Sequence, residues 1–569
     1  MDLALAPIPT VVKPPAGEAE NPDAAPAAFQ PHLPAWLKDA VFYQIFPPSF
    51  QDSNGDGIGD LPGITARLDY IKSLGCNAIW LNPIFESPFM DAGYDISDFY
   101  KVAPRYGSNA DARRLFREAH KRGLRVILDL VAGHTSIEHP GFKAACKAKP
   151  CKTRDWYIWS KNFRDDKYWL VRGYAEHDGH FVYNFFYFQP SLNYGFANPD
   201  PAQKWQQPVT ARGPREVRAM IQDVMRFWLD LGCDGFRVDC AFTIVKNDPD
   251  YRETKAYWRE VHTMLAREYP GAALIAEWGV PHEGIDAGFH IDFLLHFGLP
   301  AYTTLFRQEA RGGSSYFHKA GQGSAETFLD TWREESRAAG NRGYIALPTG
   351  NHDIPRISRN RSRRELDVAY AFLFTMPGIP FLYYGDEIGL AFQERLPSKE
   401  GGYDRTGART PMQWGDGPAA GFSTAAPDRL YLPVDRRKAR PTVAAQEADP
   451  RSLLNHVRAL LRLRREIPAL GSDGAVEFLH GQNGGYPLVY VRRQGGSQVL
   501  VALNPAAREV DVALPFELAH AKLEPLLTRG TALTCSGSDT RLTLKGCGFC
   551  LYSIKMHREH PCYAGTERP

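Results

Sequence analysis

No stretch of this sequence approaches the ~20 consecutive apolar residues that a bilayer span needs, which excludes an ordinary membrane-spanning helix. An excess of one charge is also missing: 67 Lys and Arg stand against 65 Asp and Glu, a formal net charge of +2. Such a balance offers no electrostatic case for nucleic acid or anionic lipid as a partner. Cysteine is sparse and scattered, and its odd total of nine cannot all pair. Cys146 and Cys151, like Cys547 and Cys550, are close enough in sequence to approach each other, yet neither couple comes with the further ligands of a zinc site. The pattern reads as free thiols in a reducing compartment, and the expected location is cytoplasmic. The first residues lack a basic cluster, and proline interrupts their apolar part. Residues 1–35 therefore read as a disordered leader and not as a signal peptide.

What is present is the composition of a soluble globular chain, 44% hydrophobic and 23% charged. Its 569 residues exceed one ordinary core, so two or three domains are expected. Short apolar runs at 41–46, 78–82, 126–130, 235–239, 274–277, 291–295, 344–347 and 381–384 alternate with amphipathic patterns. The runs read as buried on both faces, as parallel strands are. The stretches "ITARLDYIKSLG", "NADARRLFREAHKRGLR" and "PREVRAMIQDVMRFWLDLG" each carry a glycine near the C-terminal end, a helix stop signal. The alternation predicts a (β/α)8 TIM barrel over 36–138 and 208–470. After the third strand comes a stretch rich in Trp, Tyr, Phe, Asn, Asp and Pro that is too long for a bare loop, so an inserted subdomain is expected over 139–207. Beyond Gly471 the runs become short and alternating, as in "PLVYVRR" and "QVLVALN", which predicts a C-terminal antiparallel β-sandwich over 471–569.

In a barrel of this kind the chemistry sits at the C-terminal ends of the strands. "RVILDLVAGHTS" brings Asp129 and His134 there, although an acid at the end of an apolar strand is costly to bury without a partner. "DGFRVDC" adds Arg237 and Asp239, two apart and so facing the same way on a strand. "LIAEW" adds Glu277, and "TGNHDIPR" adds His352 and Asp353. Glu277 follows Asp239 by the length of one βα unit, and Asp353 follows Glu277 by that of two. An arginine beside a carboxylate keeps it ionised and fixed in direction. Carboxylates converging on one bowl push their pKa values apart, into the acid and the ionised nucleophile that retaining glycoside hydrolysis uses. Helix capping or structural pairing accounts for one such acid more readily than for three flanked by an arginine and two histidines.

With "DLVAGHTS", "QPSLN", "GFRVD", "AEW" and "NHD" in place, the sequence resembles the α-amylase family of retaining glycoside hydrolases (glycoside hydrolase family thirteen) along nearly its whole length from Ala40. "YQIFPPSFQDSNGDGIGDLPGI", "AGYDISDFY", "GDEIG" and "RTPMQW" narrow the likeness to the branch of oligo-1,6-glucosidases and α-glucosidases, which also holds trehalose synthases and sucrose isomerases. The resemblance implies Asp239 as nucleophile, Glu277 as acid and base, and Asp353 as the group gripping the sugar's 2- and 3-hydroxyls. It implies that Arg237, His134 and His352 hold sugar and nucleophile, that Tyr94 stacks on the ring, and that Asp91 pairs with Arg409 around the 4-hydroxyl of a non-reducing end. A pocket closed behind one glucose favours an exo-acting α-glucosidase on short α-1,4- or α-1,6-glucosides. The alternative is a glucosyltransferase or isomerase such as a trehalose synthase, which shares the first half-reaction.

"DSNGDGIGD" alternates Asp52, Asn54, Asp56 and Asp60 with glycines, the oxygen ligands and tight turns of a Ca2+ loop. In related glucosidases such a loop uses these four side chains and the carbonyl of Ile58, so a structural Ca2+ is expected here. Three departures stand out. Gly133 takes a position where relatives carry an Asn that ligates a second calcium in classical α-amylases, so that second site is expected to be absent. Ser191 stands where Asp is common. Cys240, following the nucleophile, is small like the residues that go with α-1,4 substrates.

Overall fold

The computed structural model describes residues 29–165, 167–299, 301–515, 518, 521–536 and 539–555. The expected leader lies largely outside them. The chain separates into two compact units. The first runs to Tyr302 and takes in Thr331–Asn360 and Gly378–Arg458; the second comprises Thr303–Asp330, Arg361–Pro377 and the chain from Ala459.

The first unit holds eight parallel strands: β1 (Phe42–Ile45), β2 (Ala78–Leu81), β3 (Arg125–Leu130), β4 (Gly235–Val238), β5 (Ala273–Ala276), β6 (Ile291–Phe293), β7 (Tyr344–Pro348) and β8 (Ile379–Tyr383). They close into a barrel in chain order, with β8 returning to pair with β1. Most strand residues are buried on both faces, which is why the runs read as continuous apolar stretches. Inward-facing side chains fill the barrel, among them Phe42, Trp80, Ile127, Ile275, Phe293 and Phe381. Phe42 and Phe381 stack with centroids 4.3 Å apart. Gly235 opens β4 with φ 139°, and a Cβ there would come within 2.1 Å of the Ala273 carbonyl, so only glycine lets β4 enter beside β5. Helix Asn109–Lys121 starts with a capping box between Ser108 and Asp111, and helix Arg212–Leu231 stops at the left-handed Gly232.

The stretch after β3 forms a three-stranded sheet of Trp159–Ser160, Leu170–Val171 and His180–Val182, with the last in the middle. Its own small core is Ile158, Val182 and Phe196, packed by Tyr168, Leu170 and Trp205.

In the second unit six strands form one antiparallel sheet: β9 (Ala475–His480), β10 (Leu488–Gln494), β11 (Ser497–Asn504), β12 (Val510–Ala513), β13 (Lys522–Ser536) and β14 (Asp539–Lys555). One face gathers Val489, Val491, Leu500, Ala502, Leu542 and Leu544. Helix Arg363–Thr375 belongs to this unit, where Thr375 Oγ1 lies 2.6 Å from the hydroxyl of Tyr490. Cys76, Cys146, Cys151, Cys233, Cys240, Cys547 and Cys550 are all free thiols. Among the described residues, no helix is long and apolar enough to cross a membrane.

Candidate active site

The register of the barrel assembles the site. Asp129 on β3 lies directly beside Arg237 on β4, and both point inward. Asp239 is the residue after β4, Glu277 the residue after β5, and Asp353 follows β7. All three therefore meet at the C-terminal mouth, as the strand-end reading predicts.

Arg237 is the hub. Its Nη1 donates to Asp129 Oδ1 at 2.8 Å and to Asp239 Oδ1 at 3.1 Å, and its Nη2 pairs with Glu277 Oε1. The guanidinium packs over Trp80, 5.0 Å from the ring centroid. Asp129 is fully buried and also accepts from Trp80 Nε1 (3.1 Å) and the Tyr94 hydroxyl (2.9 Å). Burial raises its carboxyl to about 6 against the pull of Arg237. Asp129 thus aims Arg237, and Arg237 aims the other two acids.

Glu277 receives a second hold from Cys240, whose backbone N–H donates to Oε2 at 3.0 Å and whose thiol lies 3.5 Å from the same oxygen. Cys240 has φ 38°, a left-handed conformation rare outside glycine, and it is this turn that brings its N–H onto Glu277. Burial pushes the Glu277 carboxyl up to about 8; Arg237 opposes the rise, and Asp239 and Asp353 add to it. One oxygen of Asp239 and one of Glu277 lie within 4.8 Å of each other.

Asp353 is the opposite case. Burial would raise it, but the His352 ring and the charges of Arg405 and Arg409 outweigh burial and hold it well below the usual carboxylate range. His352 accepts at Nδ1 from Gln44 (3.2 Å) and Asn82 (3.1 Å), so its proton sits on Nε2, which faces Asp353 Oδ2 at 3.1 Å. Its ring is stacked on Tyr94, 5.3 Å between centroids. His134 is buried, lowered to about 4 by that burial, and donates from Nε2 to the Tyr94 carbonyl at 3.0 Å.

The arginine pairing differs from the expected one. Arg409 does not reach Asp91; its Nε donates to the His352 carbonyl at 2.9 Å and its Nη2 to Asp353 Oδ1 at 3.1 Å. The cation nearest Asp91 is Arg405, 3.9 Å from Oδ1, which also donates to Asp353 Oδ1 at 2.7 Å. Arg405 lies inside the 3-10 stretch Tyr403–Ala408 and Arg409 caps its C-terminal end, so the two side chains reach the same Asp353 oxygen from different points of one turn. Gln189 of "QPSLN" completes the wall, donating to Asp91 Oδ2 at 2.7 Å. Burial lifts Asp91 to about 7, against Arg405 and Arg409.

The position of Gly133 is filled from elsewhere. Asn184 Nδ2 donates to the Gly133 carbonyl at 2.8 Å, and a Cβ on residue 133 would meet that nitrogen at 3.0 Å. Asn184 Oδ1 accepts from the ammonium of Lys246 (3.2 Å), which burial lowers to about 8. A protein cation thus stands in this corner. Ser191 is buried and its backbone bridges to His134; among the described residues its hydroxyl has no hydrogen-bond partner.

In the predicted calcium loop, Asp52 accepts from the N–H groups of Asn54, Gly55 and Gly57 and from Ser423. Asp56 accepts from Ile58 N–H and from the Asn54 amide, and Asp60 caps helix Leu61–Ala66 through Gly63 N–H. The donor set is all oxygen and fits calcium chemistry. The conformation is one of successive Asx turns. The only trio of His, Cys, Asp or Glu ligand atoms within 4.8 Å of one another, among the described residues, is Asp239, Cys240 and Glu277.

The model of the α-amylase catalytic domain matches residues 44–473. The chain belongs to the α-amylase family. It is 35% identical to the trehalose synthase/amylase TreS of Mycobacterium tuberculosis (strain CDC 1551 / Oshkosh), over 97% of this chain and 96% of that one. It is 30% identical to the oligo-1,6-glucosidase of Parageobacillus thermoglucosidasius, over 87% and 94%. Among solved structures, the trehalulose synthase MutB from Pseudomonas mesoacidophila MX-45 superposes with a TM-score of 0.77 at 26% identity, covering 91% of this chain and 99% of that one. Within this α-amylase-family site, pattern reading reached the strand-end residues and missed Arg405, Gln189, Asn184 and Lys246. Gln189 lay inside a block already singled out, whereas Arg405 carried no local signal beyond standing one helical turn before Arg409.

Proposed function

We propose that this protein is a retaining, exo-acting enzyme on short α-glucosides, working through a β-glucosyl-enzyme on Asp239. The observation that carries the proposal is the approach of Asp239 and Glu277 oxygens to within 4.8 Å. Retaining glycosidases hold their carboxyls about 5–5.5 Å apart, whereas inverting ones leave about 6.5–9.5 Å for a water. In the first step Asp239 attacks the anomeric carbon while Glu277, protonated at neutral pH because burial holds it up to about 8, gives its proton to the leaving oxygen. In the second step Glu277 takes a proton from the acceptor, and the acceptor oxygen displaces Asp239. Asp353, ionised throughout, stabilises the positive charge that develops on the sugar ring between the two. Asp91, Arg405 and Gln189 wall off the far end, which supports release of one glucose at a time from the non-reducing end.

With water as acceptor the enzyme is an α-glucosidase. A second reading, transfer to a sugar hydroxyl as in a trehalose synthase, is favoured by the 35% identity to a trehalose synthase/amylase over nearly the whole chain. Incubation with maltose, followed by sugar analysis, separates them. Glucose as the main product supports hydrolysis, dominant trehalose supports transfer, and an inert protein removes the proposal. The loop of Asp52, Asn54, Asp56, Ile58 and Asp60 is proposed to hold a structural Ca2+, which would tie the loop together away from the reacting atoms.

A further inference from the structure

Asp91 and Arg405 face each other from two different loops, and both loops meet on Arg105. Its guanidinium lies over the ring of Phe89, which stands two residues before Asp91, with the guanidinium carbon 3.1 Å from the ring centroid. The same group forks onto Glu400, five residues before Arg405, with Nη1 to Oε1 at 2.7 Å and Nη2 to Oε2 at 3.1 Å. The Tyr431 hydroxyl donates to Oε2 as well, at 3.0 Å. Only 16% of the Arg105 side chain and 15% of that of Glu400 are exposed, so solvent screens this pair poorly and its geometry is directional.

The loops need such a hold. Glu400 (φ 47°) and Tyr403 (φ 45°) are left-handed on one loop, and Phe89 (φ 61°) and Ala92 (φ 48°) on the other. Residues with a Cβ stay in that region only where their surroundings over-determine them. Gly401 passes the constraint on. A Cβ there would stand 2.8 Å from the Met90 carbonyl and 3.2 Å from Asp91 Oδ1, and its own carbonyl accepts from Arg405 Nη2 at 2.7 Å. A shift of Glu400 therefore moves both the backbone that packs on Asp91 and the anchor that aims Arg405.

We propose that Arg105 is a positioning residue for the sugar-binding end of the pocket: stacked on Phe89 and forked onto Glu400, it locks the two loops in the register that sets Arg405 opposite Asp91. The substrate part of this inference rests on the glucosyl-transfer reading above; the clamp itself does not.

The test compares the wild type with Arg105→Met, Arg105→Lys and the swapped pair Arg105→Glu with Glu400→Arg. Turnover of p-nitrophenyl α-glucoside, inhibition by glucose, thermal melting, and the rate of trypsin nicking after the exposed Arg395 and Lys399 are measured on each. Arg105→Met is expected to raise KM and the glucose inhibition constant together by about tenfold with kcat changing far less, the signature of lost ground-state binding. Nicking is expected to accelerate about tenfold while the main melting transition survives, because local opening is separable from global unfolding. Arg105→Lys should recover little, since an ammonium cannot fork, and the swapped pair should recover part. A folded Arg105→Met protein with wild-type KM and wild-type nicking overturns the proposal; should that variant not fold, Arg105→Lys decides by the same two readouts. A wild type inert toward the glucoside removes the glucosyl-transfer reading instead, while the nicking rates still decide the clamp.

Discussion

Arg405 places Nη1 2.7 Å from Oδ1 of Asp353, and Arg409 approaches the same oxygen at 3.1 Å. Two guanidinium groups on one carboxylate oxygen keep Asp353 ionised in spite of its burial. Arg405→Met removes one of them, so the Asp353 pKa must rise. The value of kcat/KM should fall by about a hundredfold, the scale of losing one preorganised electrostatic contact, and any shift of its acid limb should be to higher pH. A kcat/KM close to the wild-type value would show that Arg409 alone holds Asp353 ionised.

Glu277 supplies the opposite limb. It must be protonated to act as the acid, and it is held up to about 8, so kcat/KM should decline as pH rises through about 8. The same shift is a stability term. Its folded pKa lies above the unfolded value of about 4.3, so the contribution is full below that value and is lost as pH rises toward 8. Glu277→Gln should therefore melt with less pH dependence than the wild type between these limits, as followed by circular dichroism. Equal pH dependence in the two proteins would place the buried proton elsewhere.

Asp239→Asn keeps the size of the side chain and one oxygen for Arg237. The fold should survive, and turnover of an aryl α-glucoside should fall by more than about a thousandfold, since a neutral amide cannot form the ester intermediate. Near-normal rates in a folded variant would remove Asp239 as the nucleophile.

Calcium is tested by melting rather than by activity. If the loop from Asp52 to Asp60 binds Ca2+ only when folded, excess Ca2+ raises the melting temperature of EDTA-treated protein by mass action, and Asp56→Ala abolishes the rise. Identical melting with Ca2+ and with EDTA counts against the site. Asp56 is the residue to change because, among the described residues, it accepts only from Ile58 N–H and the Asn54 amide, whereas Asp52 holds three loop N–H groups and Ser423, and Asp60 holds Ser53 and caps a helix.

The strands were legible because each is a short apolar run buried on both faces, a local property. Asp129, Arg237, Asp239, Glu277 and Asp353 were legible for a related reason: an acid or an arginine at the end of such a run has few explanations other than a site. Arg405 was not legible. Its role depends on the left-handed turns at Glu400 and Tyr403, which are non-glycine residues that pattern reading does not place there. Lys246 and Asn184 were missed because they answer to each other across 62 positions, one in the insert and one beyond β4.

The sequence by itself therefore determined the barrel, the position of its insert, the antiparallel character of the C-terminal strands and the three carboxylates at the mouth. These follow from periodicity and from the cost of ending an apolar strand in a charge. Only the tertiary structure decided which arginine faces Asp91, what fills the corner left by Gly133, and how Arg105 ties the Phe89 loop to Glu400, 295 positions beyond Arg105 itself. Those contacts depend on loop backbones held away from their local preferences, and such conformations exist only once the surrounding packing is complete.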